Sequence, residues 1–304
     1  MTLWRSAGTT CSANRSQPML YQSAKDWHSA SHKNVLLFGM SGLGKTHLSN
    51  MLRAEGGWFH YSIDYRIGTR YMGEHIADSF KREAMKVGYL RDLLLSDSIY
   101  IGSNITFENL APLSTYLGKP GGSAQGGLDF DDYMHRQDLH RSAEISALLD
   151  TGHFIDRAQD IYGYSNFICD SGGSICEVVS PDDPTDPVLV ALAERCLMVW
   201  IEGSEAHTAA LIDRFDRAPK PMCYQPEFLR TCWDTYLHEN NISPQNVHPD
   251  TFVRWIYAKA LAHRQPRYRA MANWGVTVSA DQVAKVADPA EFDALIAQAL
   301  ERRC

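Results

Sequence analysis

The stretch Asn34-Val-Leu-Leu-Phe-Gly39-Met-Ser41-Gly42-Leu43-Gly44-Lys45-Thr46 decides how the chain reads. Its first part is a short apolar run closed by a glycine. From Thr46 to Ala54 the pattern turns helical, so the segment reads as strand, glycine loop and helix. Gly39 to Thr46 is a full G-x-x-x-x-G-K-[ST] match. The glycines let backbone N–H groups curl around a phosphate, Lys45 reaches the outer phosphate oxygens, and Thr46 offers its hydroxyl to Mg²⁺. The helix that begins there points its positive end at the anion. The expected nucleotide-binding set is Gly39, Ser41, Gly42, Leu43, Gly44, Lys45, Thr46 and His47, serving ATP with Mg²⁺.

Outward from this unit, Trp58–Ile63, Ile99–Gly102, Asn166–Cys169 and Leu197–Ile201 read as buried strands. Helical patterns lie between them at Gly73–Val87, Ser142–Leu149, Phe154–Ile161 and Glu205–Phe215. This alternation predicts an α/β fold: a three-layer, doubly wound, mostly parallel sheet with a helical C-terminal extension. Residues 118–132 hold five glycines and read as a long mobile loop, with a lid over an acceptor as one use. Beyond Pro226 the patterns are helical (Glu227–Glu239, Asp250–His263, Glu291–Arg302), and Asp288, Pro289 and Glu291 supply an N-cap, an N1 proline and an N3 acid. The expected divisions are a loose N-terminal tail over 1–33, a nucleotide-binding core over 34–221 and the helical extension over 222–304.

The chain has 304 residues, and 29 Lys+Arg against 36 Asp+Glu leave a net charge of −7. That balance argues against nucleic acid or a membrane surface as a partner, since both are held by clustered positive charge. The longest apolar runs, such as Val188–Ala193, are far short of the roughly 20 residues a membrane helix needs. The first 33 residues lack an amphipathic period and a secretory core. The seven cysteines are odd in number and scattered without a C-x-x-C pair, as expected of reduced thiols in a cytoplasmic protein. Twelve dispersed histidines show no ligand spacing, so no dedicated zinc site is expected. Oligomeric state is left open.

A nucleotide loop of this kind needs an acid at a neighbouring strand end to complete the metal site. Asp170, closing Phe167-Ile-Cys-Asp170, fits, and Asp64 after the second strand is its rival. Ser171 stands where water-activating ATPases usually carry Glu. The run Asp170-Ser-Gly172-Gly173 matches the D-x-x-G of GTPases, yet no N-K-x-D occurs in the chain.

The second strand ends in Ser62-Ile-Asp64-Tyr-Arg66-Ile-Gly-Thr-Arg70, and a late strand is followed by Arg214-Phe-Asp-Arg217-Ala-Pro-Lys220-Pro. On these residues and the glycine loop the chain resembles the P-loop small-molecule kinases, the group of shikimate, gluconate and nucleotide kinases. It is similar to a bacterial P-loop ATPase family more than to any single named kinase. The resemblance implies that Asp64 orients or deprotonates the acceptor hydroxyl and that Arg66 and Arg70, with Gly172 and Gly173, contact the acceptor. It also implies that Arg214, Arg217 and Lys220 close over the phosphates as a lid. The expected catalytic set is Lys45, Asp64, Arg214 and Arg217; the metal set is Thr46 and Asp170. The expected activity is transfer of the γ-phosphoryl of ATP to a hydroxyl of a small, anionic or polyhydroxylated acceptor. The alternative is a regulatory ATPase switch acting on a protein partner. The cluster Lys259, His263, Arg264, Arg267 and Arg269 reads as a solvated helix face.

Overall fold

The computed structural model describes residues 19–303. Five strands form one parallel sheet: β1 (Lys33–Phe38), β2 (Trp58–Ser62), β3 (Asn166–Asp170), β4 (Leu197–Glu202) and β5 (Gly275–Ser279), in the spatial order β2-β3-β1-β4-β5. β1 is central, paired with β3 on one side and β4 on the other. Leu37 stands opposite Asp170, and Ser62 of β2 also stands opposite Asp170. The carboxyl ends of β1, β2 and β3 therefore finish level, where open parallel sheets hold their ligands.

The helices in chain order are α1 (Ala24–Ser29), α2 (Lys45–Ala54), α3 (Ile63–Arg66), α4 (Gly73–Ala84), α5 (Gly88–Leu95), α6 (Ala111–Leu117), α7 (Phe130–Leu149) and α8 (Thr151–Asp160). They continue with α9 (Ile175–Val178), α10 (Pro187–Ala193), α11 (Glu205–Arg217), α12 (Pro226–Asn240), α13 (Pro249–Met271), α14 (Ala280–Val283) and α15 (Pro289–Arg303). Helices cover both faces of the sheet. Trp58 meets Phe292 of α15 edge to face at 5.5 Å, whereas Tyr61, which points the other way, stacks on Phe154 of α8 at 4.6 Å. Two-sided cover explains why β1, β3 and β4 are nearly continuous apolar runs. The cap of α15 forms as its sequence predicts: Asp288 Oδ1 accepts from the Glu291 amide at 2.8 Å. Among the described residues, no helix is long and apolar enough to cross a membrane.

Four expectations change. The helical C-terminal third also supplies β5, a five-residue edge strand hidden between long helices, so buried side chains from Tyr21 to Leu300 form one core across the expected 221/222 boundary. Ile99–Gly102 is irregular and joins no sheet, and Tyr100 faces solvent, which a strand buried on both faces would not allow. Residues 118–129 are tied down rather than loose: Leu128 donates to the Lys119 carbonyl, Gly122 to the Val247 carbonyl, both at 2.9 Å, and Lys119 pairs with Asp250 at 2.6 Å. From Phe130 the same stretch is already α7, started by Asp129, whose carboxylate accepts from the Asp131 amide at 3.0 Å.

The N-terminal expectation divides. Residues 1–18 lie outside the described residues, but residues 19–33 are part of the core. Trp27 of α1 is fully buried, edge-on to Tyr21 at 5.1 Å, with the Lys33 ammonium 5.0 Å from its ring. Tyr21 accepts from the Asn34 amide at 3.1 Å and donates to the His32 carbonyl at 3.0 Å, joining this segment to the start of β1. Trp27→Ala is expected to cost about 3–5 kcal/mol in urea unfolding, the usual range for emptying a buried aromatic site; a loss below about 1 kcal/mol would detach α1 from the core.

Candidate functional site

The loop between β1 and α2 takes the shape its glycines allow. Gly39, Gly42 and Gly44 have φ of 137°, 84° and 96°, a region closed to most side chains. Lys45 is buried, and its ammonium donates to the carbonyls of Gly39 at 2.8 Å and Met40 at 2.9 Å, lying across the loop mouth. Burial lowers its pKa to about 8, while the carboxylates of Asp64 and Asp170 pull it back up. Leu43 points into the core, so only its backbone is left for a ligand. Ser41, Gly42, Gly44, Lys45, Thr46 and His47 line a cavity of about 310 Å³ that is closed on its other side by Ser62, Asp64, Asp170 and Gly172.

Asp170 is buried beside the loop at the end of β3. His60 Nε2 approaches its Oδ1 to 3.2 Å without hydrogen-bond alignment, and Oδ1 has no hydrogen-bond partner among the described residues. An unsatisfied buried carboxylate oxygen in one cavity with the Thr46 hydroxyl fits a hard divalent cation, which takes oxygen ligands. Just beyond, Ser171 donates through its amide and its hydroxyl to the Leu37 carbonyl at 3.1 and 2.9 Å, and the Tyr268 hydroxyl donates to the Gly173 carbonyl. Gly172 leaves room for the Asp64 carboxylate: a Cβ there would lie 2.6 Å from Asp64 Oδ1 and displace it.

Asp64, in the first turn of α3, faces both this cavity and a second one of about 640 Å³. Burial raises its pKa to about 6, with Asp170 adding to the rise and Lys45 opposing it. The larger cavity is walled by apolar side chains, among them Leu113, Leu117, Leu211, Phe215 and Met222, with Arg214, Lys220 and Arg264 as its cations. Ser41, Gly42, Asp64, Leu110 and Gly173 belong to both cavities, which therefore open into one another beside the glycine loop.

The structure brings together Lys45, Asp64, Asp170, Thr46, Gly172, Gly173 and Arg214, and it separates three other expected residues. Arg214 lies against the loop, its terminal nitrogen 2.5 Å from where a Cβ on Gly42 would sit. Arg66 instead forms a two-pronged pair with Asp150 at 2.8 and 2.7 Å, and its guanidinium lies 4.9 Å from the Phe154 ring; it lines neither cavity. Arg70 is exposed on the following turn and also lines neither. Arg217 folds back onto its own helix, donating to the Asp213 carbonyl at 3.2 Å. The helical period explains the loss of Arg66 and Arg70, since residues two and six positions along a helix from Asp64 are turned off its face.

The polar groups in the cavity's inner wall and just behind it were not visible in the motifs. Arg264, expected on a solvated face, is buried, donating to Glu177 and to the Cys223 carbonyl, both at 2.6 Å. Glu144 of α7 is fully buried, and both its oxygens accept from the Ser174 hydroxyl, at 2.9 and 2.8 Å. Burial raises its pKa to about 8, with Asp64 adding to the rise and Ser174 and Arg264 opposing it. Burial lowers that of His140, one turn away, to about 4. The available signal was the run of polar residues Gln137, His140 and Glu144 at helical spacing, a polar stripe on a face that α7 buries.

No family model matches the chain, and no curated protein matches it. Among solved structures it is similar to a shikimate kinase from Bacteroides thetaiotaomicron, at 14% identity and a TM-score of 0.37 over 89% of this chain and 96% of that one. The fold assignment stands on the sheet order and the glycine loop themselves.

Glu144 gives a pH-dependent stability of unusual sign. Its carboxyl ionises near 4.5 when unfolded and near 8 when folded, so between those values the folded state holds the extra proton and stability falls as pH rises. With EDTA present, the melting temperature is expected to drop from pH 5 to pH 8, and Glu144→Gln to flatten that slope. An unchanged slope in the variant would show that Glu144 ionises freely in the fold.

Proposed function

We propose that the protein transfers the γ-phosphoryl group of ATP, with Mg²⁺, to a hydroxyl of a small molecule held in the larger cavity. The observation that carries this reading is the junction of the two cavities at Asp64. A nucleotide loop alone would suit a switch, whereas a second chamber of about 640 Å³ opening onto the loop is the size of a small-molecule site. Apolar walls with Arg214, Lys220 and Arg264 suit an acceptor with an apolar body and an anionic or polar substituent. The charge balance and the absence of a membrane-crossing helix among the described residues are compatible with a cytoplasmic enzyme of small molecules.

Phosphoryl transfer needs alignment and charge neutralisation more than covalent chemistry from the protein. The loop amides and Lys45 hold the phosphates once the ammonium leaves the Gly39 and Met40 carbonyls. Thr46 and Asp170 would hold the cation, which when bound would shield charge on the phosphates. Asp64 takes the proton of the acceptor hydroxyl as its oxygen bonds to the γ-phosphorus and the bond to the departing ADP breaks. Arg214, against the loop, balances the charge that develops on the transferred group.

Lys45→Ala is expected to abolish nucleotide binding in titration calorimetry, and retained affinity would refute the loop assignment. Asp64→Asn is expected to keep nucleotide affinity while lowering transfer by about 10²–10⁴-fold, the usual contribution of a positioned acid–base group. With a panel of alcohols, nucleosides and hydroxy acids, an acceptor should stimulate ADP release; a steady release that no acceptor alters would count against transfer.

A further inference from the structure

Away from the nucleotide loop, three buried side chains of different ligand chemistry meet, two of them, His140 and Cys223, in the wall of the larger cavity and Glu144 behind it. His140 and Glu144 stand one turn apart on α7, and Cys223 comes from the segment between α11 and α12. An imidazole nitrogen, a carboxylate oxygen and the sulfur lie within 4.8 Å of one another. His140 Nδ1 is 3.8 Å from Glu144 Oε2, and its side chain is only 8% exposed. That nitrogen has no hydrogen-bond partner among the described residues, although buried polar atoms normally have one.

The surroundings hold these groups in place. The Met222 carbonyl accepts from Gln137 at 3.0 Å and from the Tyr133 hydroxyl at 3.1 Å. The Tyr224 amide donates to Gln137 at 2.9 Å, and the Cys223 carbonyl accepts from Arg264 at 2.6 Å. The backbone is thus tied on both sides of Cys223 and at Cys223 itself. Ser174 orients Glu144 through its hydroxyl, as outer-shell partners orient ligating carboxylates.

We propose that His140, Glu144 and Cys223 form a three-ligand site for a divalent cation of the zinc type, with its remaining coordination position open to the larger cavity. Mixed nitrogen, oxygen and sulfur donors select such an ion over Mg²⁺, which takes oxygen ligands. Tetrahedral bond lengths place ligand atoms roughly 3.3–3.8 Å apart, so side-chain shifts of about 1 Å close the site. Binding displaces the protons of Glu144 and Cys223 to solvent and leaves a neutral cluster beside the Arg264 guanidinium. The open position would take a donor atom of a bound small molecule. The site stands independently of phosphoryl transfer.

The full chain, stripped with chelator and given one equivalent of Co²⁺, tests this directly. The expected result is one retained cobalt per chain by mass spectrometry and a thiolate-to-cobalt charge-transfer band in the near ultraviolet, removed by one equivalent of Zn²⁺. Cys223→Ser should lose the band, and His140→Ala should weaken cobalt binding at least tenfold. The wild-type band and its displacement by Zn²⁺ decide the matter even if a variant does not fold. No retained cobalt overturns the site, and so does cobalt without a thiolate band, which would place the ion on the carboxylates beside the glycine loop.

Discussion

The pairing of β1 between β3 and β4 is the constraint on which the rest of the site depends. Because β1 and β3 run parallel with Leu37 opposite Asp170, the glycine loop leaves the sheet beside the carboxylate that faces its cavity. β2, on the far side of β3, brings Ser62 level with Asp170, and the next turn of chain carries Asp64 to the same edge. No long-range side-chain contact has to gather these groups. Backbone register does so, and helices on both faces hold the register by burying every central strand.

Charge is distributed sparingly around that edge. With a net charge of −7, the protein keeps few cations around that edge of the sheet, and several of them are already engaged by carboxylates or carbonyls. Lys45 rests on two carbonyls, Arg264 on Glu177, and Arg66 is fully occupied by Asp150. Burial works against ionisation of Lys45, Asp64 and Glu144 alike, and the opposite charges of Lys45 and Asp64 moderate one another. A polyanion entering the loop offers Lys45 a stronger partner than the carbonyls it now holds.

Much of this was legible in the chain because it is local. The glycine loop, the strand before it and Asp170 at the end of Phe167-Ile-Cys are signals contained within a few residues, and four of the five strands are short apolar runs. β5 escaped because Gly275–Ser279 is a short edge strand whose pattern is weak beside two long helices. Arg66 and Arg70 were grouped with Asp64 by proximity in sequence, but helical rotation turned Arg66 to Asp150 and Arg70 to solvent. Glu144, Cys223 and Arg264 converge from three distant segments, and a basic run in α13 gives no sign that one of its members is buried. The apolar chamber likewise draws on α6, α7, α11 and α13, which no local pattern connects.

The central claim is that a phosphoryl group moves from the loop into the adjoining chamber rather than to water. Turnover of ATP with Mg²⁺ in water enriched in heavy oxygen, in the presence of a small-molecule extract, separates the two by mass spectrometry. The account predicts a phosphate ester whose phosphoryl oxygens carry no label from the solvent. Inorganic phosphate as the sole phosphoryl product, each molecule carrying one solvent oxygen, would contradict it.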